Sequence, residues 1–128
     1  PRSSALCAIY LRTLEFSLSI VPLLVTRAIT PHPEVDMVLL MSVNPGFGGQ
    51  KYLEECTEKI QELRELIDKE NLSVDIEVDG GINGDTLETV MKAGANIFVA
   101  GSWVFGGDIA ENVRHIQKEI EEIGDRIE

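Results

Sequence analysis

The chain has little cysteine and little positive charge. Its two cysteines, Cys7 and Cys56, lack the spacing of a metal site, and such sparse use is typical of a reducing compartment. We therefore predict a cytoplasmic location and a buried free thiol at Cys56. Only 11 Lys and Arg residues stand against 22 Asp and Glu, a net charge of −11. This balance argues against a nucleic-acid partner, because phosphate backbones bind clustered positive charge.

Long hydrophobic runs are also missing, and the first part of the chain has no glycine. No apolar run reaches the length of a membrane helix, so we expect no membrane partner. Residues 13–20 alternate in polarity and could form a strand. Acidic residues dominate after Pro33. We divide the chain into an N-terminal segment, residues 1–32, which we expect to pack poorly, and a second region, residues 33–128.

The second region has a regular alternation of strand and helix patterns. Apolar runs at residues 35–43, 74–78 and 96–100 alternate with amphipathic patterns at residues 51–70, 85–92 and 108–123. The first run is typical of a strand buried on both faces. The alternation predicts an α/β fold with a parallel sheet, the last three βα units of a partial (β/α)8 TIM barrel. A complete barrel needs roughly 250 residues, more than this chain has.

Glycine motifs follow the second and third runs. Gly80 and Gly81 come after residues 74–78, and Gly101 and Ser102 come after residues 96–100. Glycine lets a ligand approach the backbone, and N–H groups at a helix start attract anions. The alternative is a pair of tight turns without a ligand, and one such pair is weak evidence. Two pairs on successive strands favour a phosphate site.

Asp79 ends the second run, on what would be the active-site face of a parallel barrel. A carboxylate there could act as a general acid or base or bind a divalent metal. The alternative is a turn residue, since Asp-Gly is a common turn pair. Glu77 could face either the barrel interior or the helices.

A third loop, residues 44–50 (NPGFGGQ), follows the first run. It is either a mobile lid over a substrate or a connector whose aromatic residue fills a hydrophobic gap. Trp103 is expected to pack between helices. The loop residues that would contact a ligand are Gly46, Phe47, Gly48 and Gly49.

These motifs together resemble those of the ribulose-phosphate 3-epimerase family. The similar segments are residues 33–50 (PEVDMVLLMSVNPGFGGQ), 76–82 (IEVDGGI), 93–96 (AGAN), 99–102 (VAGS) and 104–106 (VFG). The resemblance extends from about residue 33 to about residue 119. It implies a TIM barrel that interconverts D-ribulose 5-phosphate and D-xylulose 5-phosphate in the pentose phosphate pathway. It also implies a homo-oligomer for full-length members.

The resemblance implies a role for each matched residue. Asp79 would be the second of two catalytic aspartates, a ligand of one divalent ion (zinc, iron, manganese or cobalt) and a proton donor. Met41 would line the reacting carbons of a small phosphorylated ketose. The loop that closes over substrate would be Gly46, Phe47, Gly48 and Gly49, and the phosphate site Gly80, Gly81, Gly101 and Ser102.

The chain also departs from the family pattern. The first aspartate, two metal-binding histidines and an early serine belong to units absent from this sequence, and His32 fits neither histidine motif. Trp103 replaces a small residue and would crowd the phosphate loop. We expect the chain alone to be inactive. Alternatives are an epimerase of a six-carbon ketose phosphate, such as allulose 6-phosphate, and a non-catalytic half-barrel that binds phosphate.

Overall fold

A computed structural model of the chain describes residues 18–21, 35–44 and 46–128. The elements in these ranges, in chain order, are β1 (Leu18–Val21), β2 (Met37–Met41), α1 (Glu55–Lys69), β3 (Asp75–Asp79), α2 (Leu87–Ala93), β4 (Ile97–Val99), α3 (Gly101–Phe105) and α4 (Ile109–Ile127). The predicted alternation of strands and helices is confirmed. The prediction of poor packing for residues 1–32 falls, apart from β1, outside the described residues.

The four strands form one parallel sheet in the order β1-β2-β3-β4. Leu18 pairs with Met37, Met37 pairs with Asp75, and Asp79 pairs with Val99. Because the strands are parallel, their carboxyl ends meet at one edge of the sheet, which we call the rim. The arrangement is α/β and is consistent with part of a parallel barrel.

The described helices cover one face of the sheet. Val38, Leu40, Ile76 and Val78 are buried in one cluster with apolar side chains of α1, α2 and α4. Their alternate neighbours are half-buried or exposed and form the open face, which consists of Met37, Leu39, Met41, Asp75, Glu77, Asp79, Ile97 and Val99. The expectation that β2 is buried on both faces is therefore wrong.

Helix α1 packs through residues spaced three and four apart. Cys56, Ile60, Leu63 and Ile67 are buried, whereas the charged side of the helix is exposed. Burial raises the pKa of the Cys56 thiol to about 11, with a smaller contribution from the charge of Glu55. The predicted buried free thiol at Cys56 is confirmed.

Helix α4 packs on the core through its C-terminal half, whereas its first turn is exposed. Asp108 caps it by accepting a hydrogen bond from the Glu111 N–H at 2.9 Å. Ile109, which falls within the amphipathic pattern of residues 108–123, is 51 % exposed because it lies in the first turn, ahead of the residues that reach the core. Ile120 and Ile123 are buried against the core. Within the described ranges, no helix is long and apolar enough to cross a membrane.

Gly124 gives a stability test of α4. A Cβ added there meets no atom within 4 Å, and the residue lies in the helix. Gly124→Ala should therefore raise the free energy of unfolding by about 0.5–1 kcal/mol. Urea denaturation measures the change. Gly94→Ala is the matched control and should destabilise, because Gly94 has a φ of +115° and its Cβ would meet the Arg64 side chain.

Candidate functional site

The rim brings together the residues that follow β2, β3 and β4. Met41 pairs with Asp79, and Asp79 pairs with Val99, so these three side chains lie side by side on the open face. Gly80 and Gly81 directly follow Asp79. Gly101 and Ser102 follow Val99 after one intervening residue. The parallel register thus explains why motifs far apart in sequence meet at one edge.

Asp79 lies at this edge, and its side chain is half-buried. Desolvation raises the pKa of its carboxyl above the ordinary range. Glu77 lies two residues earlier on the same face, and its pKa is raised by desolvation and then by the charge of Asp79. Glu77 therefore belongs to the open face rather than the helix-covered face. The two neighbouring carboxyls form an acidic pair with increased proton affinity.

The pH dependence of stability should reveal this pair. A carboxyl with a raised pKa in the folded chain binds protons more tightly there than when unfolded. Stability is therefore lost as pH rises from the ordinary carboxyl range through the raised pKa. We expect Asp79→Asn to melt at a higher temperature than the unchanged chain at pH 7, with a smaller difference at pH 4. An equal difference at both pH values would contradict the raised pKa.

The double-glycine loop after Asp79 needs both of its glycines. Gly80 has a φ of +130°, and a Cβ there would meet the Val43 side chain at 2.7 Å. Gly81 has a φ of +67°, and its Cβ would overlap the backbone of Tyr52. Positive φ and close backbone contact both favour glycine. The pair is therefore required by the fold, as well as being a candidate for ligand contact.

The loop of residues 46–50 is open and exposed. Gln50 ties it by donating hydrogen bonds to the carbonyls of Asn44 at 2.6 Å and Phe47 at 2.8 Å. Phe47 is 76 % exposed, so its side chain fills no hydrophobic gap in this structure. The connector alternative is therefore wrong about Phe47. A Cβ added at Gly46, Gly48 or Gly49 would meet no atom within 4 Å.

The third part of the rim is the start of α3. Ser102 is exposed, and a Cβ added at Gly101 would meet no atom within 4 Å. Trp103 packs against the core cluster and contacts the His115 ring edge to face, with 6.3 Å between ring centroids. The expected packing of Trp103 between helices is confirmed.

Sequence reasoning missed Ser42 and Thr86. Ser42 is completely buried, and its hydroxyl donates to the Gly80 carbonyl at 2.6 Å. The Thr86 hydroxyl donates to the Gly81 carbonyl at 2.8 Å. The available signal for Ser42 was a hydroxyl residue within an apolar run. Thr86 gave no signal of its own.

The described residues do not form a complete metal site. No group of three His, Cys, Asp or Glu side chains in this part of the chain is arranged to hold a metal ion. Asp79 at the rim could supply one ligand. The remaining ligands would have to come from residues other than those described.

A parallel sheet with helices on one face and glycine loops beside a carboxylate is an α/β arrangement consistent with part of a parallel barrel. The profile of the ribulose-phosphate 3 epimerase family matches residues 18–105. The chain belongs to this family. The match begins in β1, upstream of the Pro33 start inferred from the motifs, and the division at residue 32 stays a prediction.

Similar proteins agree with this assignment. A ribulose-phosphate 3-epimerase of Bacillus subtilis is 51 % identical over 74 residues, 57 % of this chain and 34 % of that protein. One of Mycobacterium bovis is 47 % identical over 76 residues, 59 % of this chain and 33 % of that protein. The chloroplastic ribulose-5-phosphate-3-epimerase of Arabidopsis thaliana is 49 % identical over 84 residues, which is 65 % of this chain and 30 % of that protein. The chain thus spans about a third of the length of these relatives.

Proposed function

We propose that this chain provides the phosphate-binding rim and one proton-transfer carboxylate of a ribulose-phosphate 3-epimerase. This isomerase interconverts D-ribulose 5-phosphate and D-xylulose 5-phosphate in the pentose phosphate pathway. The observation that supports the proposal is the meeting of Asp79 with two glycine loops at one rim. Phosphate binds loops of this kind after the last two strands of parallel barrels.

The phosphate would be held by backbone N–H groups rather than by basic side chains. No Lys or Arg occurs in the three rim loops before Lys51. Gly101 leaves open space beside its backbone, and Ser102 adds an exposed hydroxyl donor. Anchoring the phosphate here would hold the carbon chain of the sugar near the open face, where Asp79 and Met41 lie.

Asp79 would then transfer a proton at C3 of the sugar. The C3 proton is acidic because C3 neighbours the C2 carbonyl, and its removal gives an enediolate. The raised pKa of Asp79 favours the protonated carboxyl, which suits a group that returns a proton to carbon. Epimerisation needs a second group on the opposite side of C3, and among the described residues we assign a proton-transfer role to Asp79 alone.

The divalent metal implied for the family does not fit the described residues alone. Asp79 would be one ligand, and the described part of the chain offers no group of three ligating side chains. A complete enzyme therefore requires additional ligands. For the same reason we propose that the chain is inactive alone. Its oligomeric state and cytoplasmic location stay predictions.

Gly101→Ala tests the phosphate site without disturbing the fold. The new methyl would enter the space proposed for the ligand, whereas it meets no protein atom. We expect a loss of roughly tenfold or more in affinity for D-ribulose 5-phosphate, about 1.4 kcal/mol. Titration calorimetry with the unchanged chain and with Gly124→Ala, a glycine-to-alanine change on α4, provides the comparison.

Equal affinities for all three chains would contradict a phosphate site at Gly101. The same titration with D-allulose 6-phosphate tests the six-carbon alternative, which predicts tighter binding of that sugar. The incomplete metal site favours a second candidate, a half-barrel that binds phosphate without catalysis. That candidate predicts equal affinity for the sugar phosphate and for inorganic phosphate.

A further inference from the structure

The double-glycine loop is held by donors from two different segments. The Ser42 N–H donates to the Asp79 carbonyl at 2.9 Å, and the Ser42 hydroxyl donates to the Gly80 carbonyl at 2.6 Å. The Thr86 hydroxyl donates to the Gly81 carbonyl at 2.8 Å and accepts from the Asn83 N–H at 3.0 Å. The three successive carbonyls of Asp79, Gly80 and Gly81 are therefore fixed in direction.

Fixing a carbonyl also fixes the N–H of the next residue. The peptide unit is planar and trans, so its C=O and N–H point in opposite directions. The Ser42 and Thr86 hydroxyls thus aim the N–H groups of Gly81 and Ile82 away from themselves. Among the residues that the structure describes, no hydrogen bond from either N–H to a backbone acceptor is found, and the backbone N–H groups that donate to side chains belong to other residues. Both groups are consequently oriented as donors.

Glycine makes this fixation necessary. Gly80 and Gly81 lack a Cβ and have wide conformational freedom, which an unrestrained loop would lose only on binding a ligand. Ser42 is completely buried in the short segment after β2, and its backbone carbonyl accepts from the Leu53 N–H at 2.9 Å. The serine therefore connects the double-glycine loop to the segment that precedes α1.

We propose that Ser42 and Thr86 are positioning residues that preorganise the Gly81 and Ile82 N–H groups for the phosphate of the substrate. The identity of the ligand rests on the proposed function. The ordering of the loop does not, because it follows from the hydrogen bonds described above. Neither hydroxyl contacts the phosphate in this proposal. Each acts through the peptide unit whose carbonyl it holds.

The test removes each hydroxyl and measures the loop and the ligand separately. Ser42→Ala loses the hydroxyl hydrogen bond to the Gly80 carbonyl. Thr86→Val loses the bonds to the Gly81 carbonyl and from the Asn83 N–H, whereas Thr86→Ser retains the hydroxyl. Thr57→Val is the control, because it removes a hydroxyl bonded to the Tyr52 hydroxyl at 2.9 Å and leaves the loop carbonyls untouched. Nuclear spin relaxation without ligand reports the order of the Gly81 and Ile82 amides. Titration with inorganic phosphate reports the affinity.

We expect lower order parameters at Gly81 and Ile82 in Ser42→Ala and Thr86→Val, and phosphate affinity weaker by roughly five- to tenfold. Thr86→Ser and Thr57→Val should keep both properties. Unchanged order in both hydroxyl-deleted variants would overturn the inference. If Ser42→Ala does not fold, the comparison of Thr86→Val with Thr86→Ser tests the inference by itself.

The two readouts separate this inference from the proposed function. Absence of phosphate binding by the unchanged chain, together with reduced order in the variants, would refute the phosphate site and support the positioning role. Equal phosphate binding by all chains with equal loop order would refute the positioning role and leave the phosphate site standing.

Discussion

Gly81→Val is expected to abolish binding of a pentulose phosphate and to lower the free energy of unfolding by about 3 kcal/mol or more. The φ of +67° disfavours any side chain, and a β-branched residue most of all. The Cβ would also overlap the Tyr52 backbone, which cannot rotate away as a side chain can. The loop must move, and its N–H groups move with it.

Urea denaturation and titration calorimetry measure the two effects of this substitution. Lys51→Ala is the control, because it removes the basic side chain that directly follows the loop of residues 44–50 in sequence and leaves the backbone unchanged. We expect Lys51→Ala to bind as the unchanged chain does. Loss of affinity in Lys51→Ala with retention in Gly81→Val would refute a site built from backbone N–H groups.

Asp79→Asn should strongly lower epimerase activity when the chain is complemented with the further barrel units that the proposed function requires. We expect no epimerase activity from the chain alone, because one carboxylate cannot reach both sides of C3. Adding the N-terminal units as a separate chain, with a divalent metal, should restore activity. Asp79→Asn should then lower kcat by roughly 10²–10⁴, the usual contribution of general acid–base catalysis.

A coupled assay for D-xylulose 5-phosphate measures this activity. Asp75→Asn is the matched control, since Asp75 begins the same strand and its carboxylate accepts from the Asn96 amide at 2.6 Å, far from the rim. That variant should keep its activity. Ordinary turnover by the chain alone, or by Asp79→Asn in the complemented enzyme, would contradict the assignment of Asp79.

The strands and long helices follow from the sequence because their burial patterns are local. Apolar spacing identified α1, but the predicted start at residue 51 is four residues early. Residues 51–53 instead pass beside the double-glycine loop, and the Leu53 N–H donates to the Ser42 carbonyl. Helix α3 has only five residues and no apolar period, so the pattern gave no sign of it.

The rim was predictable because parallel strands end at one edge of the sheet. A residue's position in its strand then determines how far it lies from that edge. The hydroxyl contacts were not predictable in the same way. Ser42 and Gly80 are separated by 38 residues, and their contact depends on how two loops pack after the strands have paired. The exposure of Phe47 likewise depends on what surrounds the loop rather than on its sequence.

The matching order of strands in the sheet and in the chain has a consequence for folding. Each hydrogen-bonded pair consists of strands that are consecutive in the chain, so the entropy cost of closing the loop between them is smaller than for strands farther apart in the chain. The sheet can then grow by adding one strand at a time. β2 and β3 have partners on both sides, whereas β1 and β4 each have one described partner. Local unfolding would therefore begin at β1 or β4 and reach Ile76 and Val78 last.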